Sequence, residues 1–245
     1  GGTRIPSDWL ENLLDPMEAD PTVDVVGGVR EPYGETPFEK WVASTMNDDT
    51  SKIDERVYIP ATRSIAFRRS AWDRVGGFPE WLPRFGEDSL FGIRLRAAGC
   101  KFVIARGAKV GWRPKSSLNS LLKQYYLYSE ADTCMGLLCF YPRLFVRPWF
   151  FIVISLASMV LLKSFLWGIG AVLILVALDL FRLRLLEYRC SVGSYMLWQW
   201  LIPIARQAGF GAGKFRRLLG QVEVPDSDIR DVQYYRELLR RSKYS

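Results

Sequence analysis

Apolar and polar positions follow two different rhythms along this chain, and each rhythm predicts a different element. Pro6, Ser7 and Asp8 precede a helical run, WLENLLD, with Ser7 or Asp8 as its cap. TVDVVGGV, residues 22–29, is rich in β-branched side chains and ends in Gly27 and Gly28, which predicts a strand entering a tight turn. A helix is expected around residues 38–45, then a long polar loop. SIAFRR, residues 64–69, alternates as a strand does, which turns one of Arg68 and Arg69 inward and the other outward. Ser70 heads SAWD, a capping-box pattern, and Gly76 with Gly77 stops a short helix. In SLFGIRLRAAG, residues 89–99, Leu90, Ile93 and Ala97 share one helical face, with Phe91, Leu95 and Ala98 beside them. Gly99 stands where a left-handed cap needs glycine, and KFVIA follows as a strand. Strands alternating with helices predict an α/β domain over residues 1–140.

After that the rhythm disappears. Residues 144–162, LFVRPWFFIVISLASMVLL, and 165–181, FLWGIGAVLILVALDLF, are nearly continuous apolar runs. The second would reach roughly 26 Å as a helix, just short of a ~30 Å hydrocarbon core. Two readings follow, a pair of buried core helices or a transmembrane hairpin. Arg143 and Arg147 at one end, Arg182, Arg184 and Arg189 at the other, and only Lys163 between the runs favour the hairpin, placed at 141–189 with both ends cytoplasmic. Asp179 falls in the last turn, three residues before Arg182. Residues 190–220 mix Trp198, Trp200 and Phe210 with Arg206, Lys214, Arg216 and Arg217, and Gln199 and Pro203 interrupt the apolar part. That pattern predicts an interfacial amphipathic helix, a third span being the alternative. Residues 221–245 form a charged, helical tail.

Composition narrows the chemistry. The 245 residues carry 33 Lys and Arg against 26 Asp and Glu, a net +7 that suits nucleic acid or an anionic membrane surface. The cations gather around the apolar runs and no RNA or DNA motif appears, which sets nucleic acid aside. There is no histidine, so a Ser-His triad and most transition-metal sites are excluded. Cys100, Cys134, Cys139 and Cys190 lack C-x-x-C spacing and read as reduced thiols of a cytosolic setting. The opening, GGTRIPSDWL, has neither an initiator Met nor a signal-peptide pattern, which suggests a fragment.

The remaining chemistry lies with carboxylates. Glu87 and Asp88 stand directly before a helical pattern. Such acids ordinarily cap a helix, but a carboxylate kept ionised at a helix N-terminus can also take a proton from a substrate hydroxyl. The order AFRR, VGGF, GED, RL-x-x-G and then an aromatic before a basic patch, within residues 64–137, closely resembles the C-terminal half of the catalytic domain in family 2 glycosyltransferases. The resemblance implies a GT-A fold, with the N-terminal nucleotide-binding part absent, followed by the membrane hairpin and interfacial helix. It implies inverting transfer from a nucleotide-sugar donor to a lipid-linked or polysaccharide acceptor. Asp88 is then the catalytic base, with Glu87 beside it.

The same resemblance suggests a divalent metal, Mg or Mn, whose D-x-D ligands are not seen at the start of this chain. It also suggests lipid contact and a multi-pass protein of the cytoplasmic membrane with its catalytic part in the cytoplasm. Where many members have histidine, this chain has Trp112, which either stacks on a sugar or base or packs on Pro114. Arg113 is expected to meet phosphate. Processive members carry Q-x-x-R-W here; this chain keeps Gln124 and lacks the Arg-Trp. Gly27 and Gly28 either let backbone approach the donor or make a turn, and Arg68 either meets pyrophosphate or pairs with Glu87 or Asp88. The competing reading is a non-catalytic membrane-bound scaffold that binds partners through its basic face.

Overall fold

The computed structural model describes residues 3–46, 50, 53–82, 85–137 and 191–242, with individual helical positions between 153 and 181. In order these form β1 (Thr3–Arg4), α1 (Trp9–Ala19), β2 (Val25–Pro32), α2 (Pro37–Thr45), β3 (Ile65–Phe67), α3 (Arg69–Val75), α4 (Glu87–Ala97), β4 (Phe102–Trp112) and α5 (Leu118–Met135). Then come α6 (Val192–Met196), a π-helical segment (Leu197–Leu201), α7 (Ile202–Leu218) and α8 (Asp226–Ser242). The hairpin expected at 141–189 lies largely outside the described residues. Among the described residues, no helix is long and apolar enough to cross a membrane.

The sheet has the order β1-β4-β2-β3. β2 and β4 run parallel, and the two outer strands pair antiparallel to them. Residues 25–29 of β2 are buried on both faces, which is why that stretch is an unbroken apolar run. Gly27 and Gly28 lie inside β2, not at a turn, and the strand continues to Pro32. Their lack of side chains serves packing. A Cβ on Gly27 would stand 2.6 Å from the Pro60 Cβ, and one on Gly28 would stand 3.1 Å from the Ser64 Cβ. The ladder slips directly after Gly28: it pairs with Ala105, and Val29 with Lys109, so Arg106, Gly107 and Ala108 bulge from β4.

Alternation sorts the strand side chains between two cores. Val26, Ala105 and Ala108 pack with Leu13 of α1 on one face. Val25 and Phe102 pack with Ala71, Phe91 and Leu95 of α3 and α4 on the other. Phe91 also gathers Phe67, Trp72 and Phe78, with ring centroids 5.2, 5.4 and 4.6 Å away. The second apolar face of α4, Leu90 and Ile93, meets Ala131 and Met135 of α5 and Val232 of α8. The two adjacent faces seen in the sequence thus serve two cores. Gly99, at φ +74, closes α4 as expected, with the Cys100 N–H reaching back to the Leu95 carbonyl at 3.0 Å.

Ser70 does not cap α3; the N-cap is Arg68, without a side-chain bond. Arg68 is the inward arginine. Its Nε donates to the Val23 carbonyl at 2.8 Å and its Nη2 to the Met17 carbonyl at 2.9 Å. Arg69 faces out and pairs with Asp73 at 2.9 Å. The free thiols Cys100 and Cys134 are buried.

The amphipathic stretch expected at 190–220 is helical, and one side of it covers α5. Pro203 has no N–H to continue the helical ladder, and the π segment lies immediately before α7, the helix that Pro203 opens. Gly209 and Gly213 bring α7 against the α5 backbone: a Cβ on Gly213 would stand 2.7 Å from the Glu130 carbonyl. Ser129 Oγ donates to the Arg206 carbonyl at 2.6 Å across the same contact. The tail helix α8 is docked, not loose. Asp228, 1% exposed, receives Arg94 Nε at 2.6 Å, Arg94 Nη2 at 2.8 Å and Trp81 Nε1 at 2.8 Å. Tyr235 adds a bond from its hydroxyl to the Val57 carbonyl at 2.6 Å.

Candidate active site

Helix α4 ends at Ala97, shortly before β4 starts at Phe102, and its Phe91 and Leu95 pack beside Val25 and Phe102, the first residues of β2 and β4. Gly86 is the N-cap at φ +91, a left-handed conformation that favours glycine. Glu87 and Asp88 therefore occupy the first turn and neither is the cap. Both are half-buried, not walled in. Asp88 Oδ1 accepts the Ser89 N–H at 2.8 Å, while Oδ2 has no hydrogen bond among the described residues.

The face opposite this turn comes from α5, where Gln124, Tyr128 and Asp132 recur every fourth residue. Gln124 Nε2 donates to the Tyr128 hydroxyl at 2.6 Å, and the Tyr128 ring meets Phe85 edge-on at 5.5 Å. Gln124 is thus tied through Tyr128 to Phe85, three residues before Asp88. Asp132, which the sequence reading did not single out, is 19% exposed and meets Arg206 Nη2 of α7 at 3.5 Å. Burial pushes its carboxyl up to about 6, Arg206 opposes the rise, and the Asp88 charge adds to it. A cavity of 560 Å³ adjoins this neighbourhood, lined by Phe85, Lys123, Leu127, Ala131 and Arg216 among others. Arg216 Nε is held by Glu130 Oε1 at 2.5 Å.

Trp112 and Arg113 form a second neighbourhood at the finish of β4. Trp112 lies under two guanidinium groups, Arg30 at 5.2 Å and Arg63 at 5.1 Å. Arg63 Nη1 is buried and has no hydrogen-bond partner among the described residues, a feature the sequence reading missed. Arg113 is paired with Glu35, which also holds Arg4 at 2.7 Å, and it approaches Glu39 at 3.7 Å. Glu39 is buried and its carboxyl lies below the usual carboxylate range, chiefly because it accepts the Thr36 and Glu35 N–H groups. Arg68 belongs to neither neighbourhood. Its bonds to Val23 and Met17 at the end of α1 leave it neither facing a donor nor paired with Glu87 or Asp88. Tyr58 covers Gly28, donating its hydroxyl to that carbonyl at 2.7 Å, so the backbone of Gly27 and Gly28 is screened by protein.

Among the described residues, no group of three His, Cys, Asp or Glu side chains comes together that could hold a metal ion. Asp226-Ser227-Asp228 has the spacing of a D-x-D pair, but both oxygens of Asp228 are taken by Arg94 and Trp81. The described residues thus offer no fit for a divalent cation.

Residues 2–207 match a family model described as glycosyl transferase family group 2. Among curated proteins, none matches the sequence.

Proposed function

The chain belongs to glycosyl transferase family group 2 and is a glycosyltransferase, and from that premise we propose that Asp88 is the base for transfer from a nucleotide sugar to a lipid-linked or glycan acceptor at the cytoplasmic face of a membrane. Family membership carries inverting transfer in general, a nucleotide-sugar donor and an acceptor. The observation that carries the residue assignment is the half-open carboxylate of Asp88 in the first turn of α4.

The reaction needs one proton moved and one bond exchanged. An acceptor hydroxyl gives its proton to Asp88, its oxygen bonds the anomeric carbon, and the bond from that carbon to the nucleotide diphosphate breaks. Asp88 stands in the first turn of α4, at the positive end of the helix. The unpartnered Arg63 Nη1 beside Trp112 suits a phosphate oxygen of the donor, in the role first expected of Arg113. The cavity shared by Phe85 and Ala131 suits the acceptor, with Lys123 and Arg216 near Leu127 for a charged head beside an apolar chain.

Exposed apolar surface supports the membrane part of the reading. Leu166 and Val160 are each 75% exposed, and Leu173 and Ile174 are nearly as open, on helical positions of the apolar runs. Phe215, Leu218 and Leu219 are exposed near the end of α7. Exposed apolar side chains of this kind are unfavourable in water and favourable against lipid.

The test gives membranes holding the full-length protein a panel of nucleotide sugars and follows nucleotide release. One donor should be consumed in an acceptor-dependent way, and Asp88→Asn should abolish that release without weakening donor binding. Unchanged turnover by the variant would defeat the assignment.

A further inference from the structure

We infer that the cavity beside Phe85 binds the phosphate of a lipid-linked saccharide acceptor, with Lys123 and Arg216 on the phosphate and Phe85, Leu127 and Ala131 along the adjoining part of the lipid chain. This deepens the acceptor reading of the same cavity and rests on it.

The cavity forms where three segments meet. Phe85 comes from the approach to α4, Lys123, Leu127 and Ala131 from α5, and Arg216 from the last turn of α7. Two glycines bring these segments close. A Cβ on Gly86 would stand 3.4 Å from the Ala131 Cβ, and one on Gly213 would stand 2.7 Å from the Glu130 carbonyl. At 560 Å³ the space suits a small ligand or the head of a longer one, not a whole glycan chain.

Charge selects the ligand. Three charged side chains line the cavity: Lys123, Glu130 and Arg216. Glu130 is buried and its Oε1 is committed to Arg216 Nε at 2.5 Å. The Arg216 side chain is 42% exposed, and its two terminal nitrogens carry no hydrogen bond among the described residues. Lys123 is exposed and has no ion-pair partner among the described residues. The lining thus carries one cation in excess, beside apolar walls. A neutral sugar would leave Lys123 unanswered. Free phosphate would leave Phe85, Leu127 and Ala131 against water. A phosphate attached to an apolar chain satisfies both.

The Asp88 assignment narrows the acceptor further. A phosphate oxygen is already ionised near neutral pH and attacks without a base, whereas a sugar hydroxyl needs one. A transfer that depends on Asp88 therefore calls for a lipid phosphate that already bears a sugar. Its phosphate lies at Lys123 and Arg216, and its hydroxyl reaches past Phe85 toward Asp88, three residues on. A reaction that puts a first sugar on the lipid phosphate must supply this substrate.

The experiment uses the full-length protein in phosphatidylcholine vesicles and follows acceptor-dependent nucleotide release. Hexyl phosphate is the probe, with hexanol and inorganic phosphate as controls. Hexyl phosphate should compete with the acceptor and not with the donor; hexanol should not inhibit, and inorganic phosphate should be at least about tenfold weaker. Lys123→Gln should weaken hexyl phosphate and raise the acceptor KM, each by about tenfold, at unchanged donor KM, and Lys123→Arg should restore both. Lys123 is exposed, so neither variant disturbs packing. Equal inhibition of wild type and Lys123→Gln, or competition with the donor, would overturn the inference.

Vesicles that also contain phosphatidylglycerol separate the two sources of a lipid phosphate. An unchanged acceptor KM supports the acceptor; competition by phosphatidylglycerol as strong as that of hexyl phosphate would give the cavity to bilayer lipid and overturn the inference. If Asp88→Asn retains turnover, the base assignment falls, and with it the need for a hydroxyl acceptor. If that variant is inactive while Lys123→Gln keeps the wild-type acceptor KM, only the cavity assignment falls.

Discussion

The two ends of α4 treat charge in opposite ways. In its last turn, Arg94 lies against a fully buried carboxylate, Asp228, with two short bonds and a third from Trp81. In its first turn, Asp88 is half-open, with one oxygen on a neighbouring backbone N–H, and Asp132 of α5 meets Arg206 at 3.5 Å. Both ends hold acids near arginines, so residue type does not separate them. Compensation does. A pair matched at good geometry fixes a helix in place, while a half-open acid without an ion-pair partner among the described residues leaves an oxygen that a substrate hydroxyl can reach. Closed pairing at one end is what lets the other end stay open without the helix shifting.

Breaking the closed end should have the largest effect on stability. Asp228→Asn leaves Arg94 buried beside a neutral partner and should cost about 3–5 kcal/mol, read as a fall in midpoint under denaturant. If the loss is below about 1 kcal/mol, Arg94 and Asp228 do not anchor α4 and the comparison fails at that end. Gly86→Ala acts at the open end. It forces a side chain into left-handed backbone against Met135 and should cost about 1–3 kcal/mol, with turnover falling further than stability alone explains.

Arg68→Ala removes two bonds to backbone carbonyls and should cost about 1–3 kcal/mol in a melt while leaving donor affinity unchanged. A loss of donor affinity would return Arg68 to the binding surface. Arg113→Gln is the mildest change. Its pairing with Glu35 is largely exposed, so the expected loss is below about 1 kcal/mol, checked by the same melt.

Local signals carried much of the fold into the sequence. The two apolar faces of α4 and the left-handed glycine at its end are each set within a dozen residues and appear where the pattern places them, and the β2 run is a strand, though it continues past the expected turn to Pro32. Long-range partners did not show. Gly27 and Gly28 resemble a turn because the residues that press on them, Tyr58, Pro60 and Ser64, lie some thirty or more positions away. Arg68 looked like a ligand for pyrophosphate because nothing local reveals the Val23 and Met17 carbonyls it binds.

The site divides in the same way. Glu87 and Asp88 stood out because two acids before a helical pattern are a local signal. Asp132 and Arg63 did not. Asp132 gains its significance from Arg206, 74 residues later, and Arg63 from Trp112 at the end of β4. The α5 repeat of Gln124, Tyr128 and Asp132 at every fourth position was the one local hint of the second acid. The charged tail gave no hint of docking, because the burial of Asp228 depends on Arg94, 134 residues earlier.

The most direct test compares the open acid with a closed pair in one assay. Full-length Asp88→Asn and Arg113→Gln are measured side by side for kcat, with donor affinity taken from the same membranes. The account predicts that Asp88→Asn loses about 10²–10⁴-fold in kcat at unchanged donor affinity, while Arg113→Gln stays near wild type. Equal kcat for the two variants would contradict it.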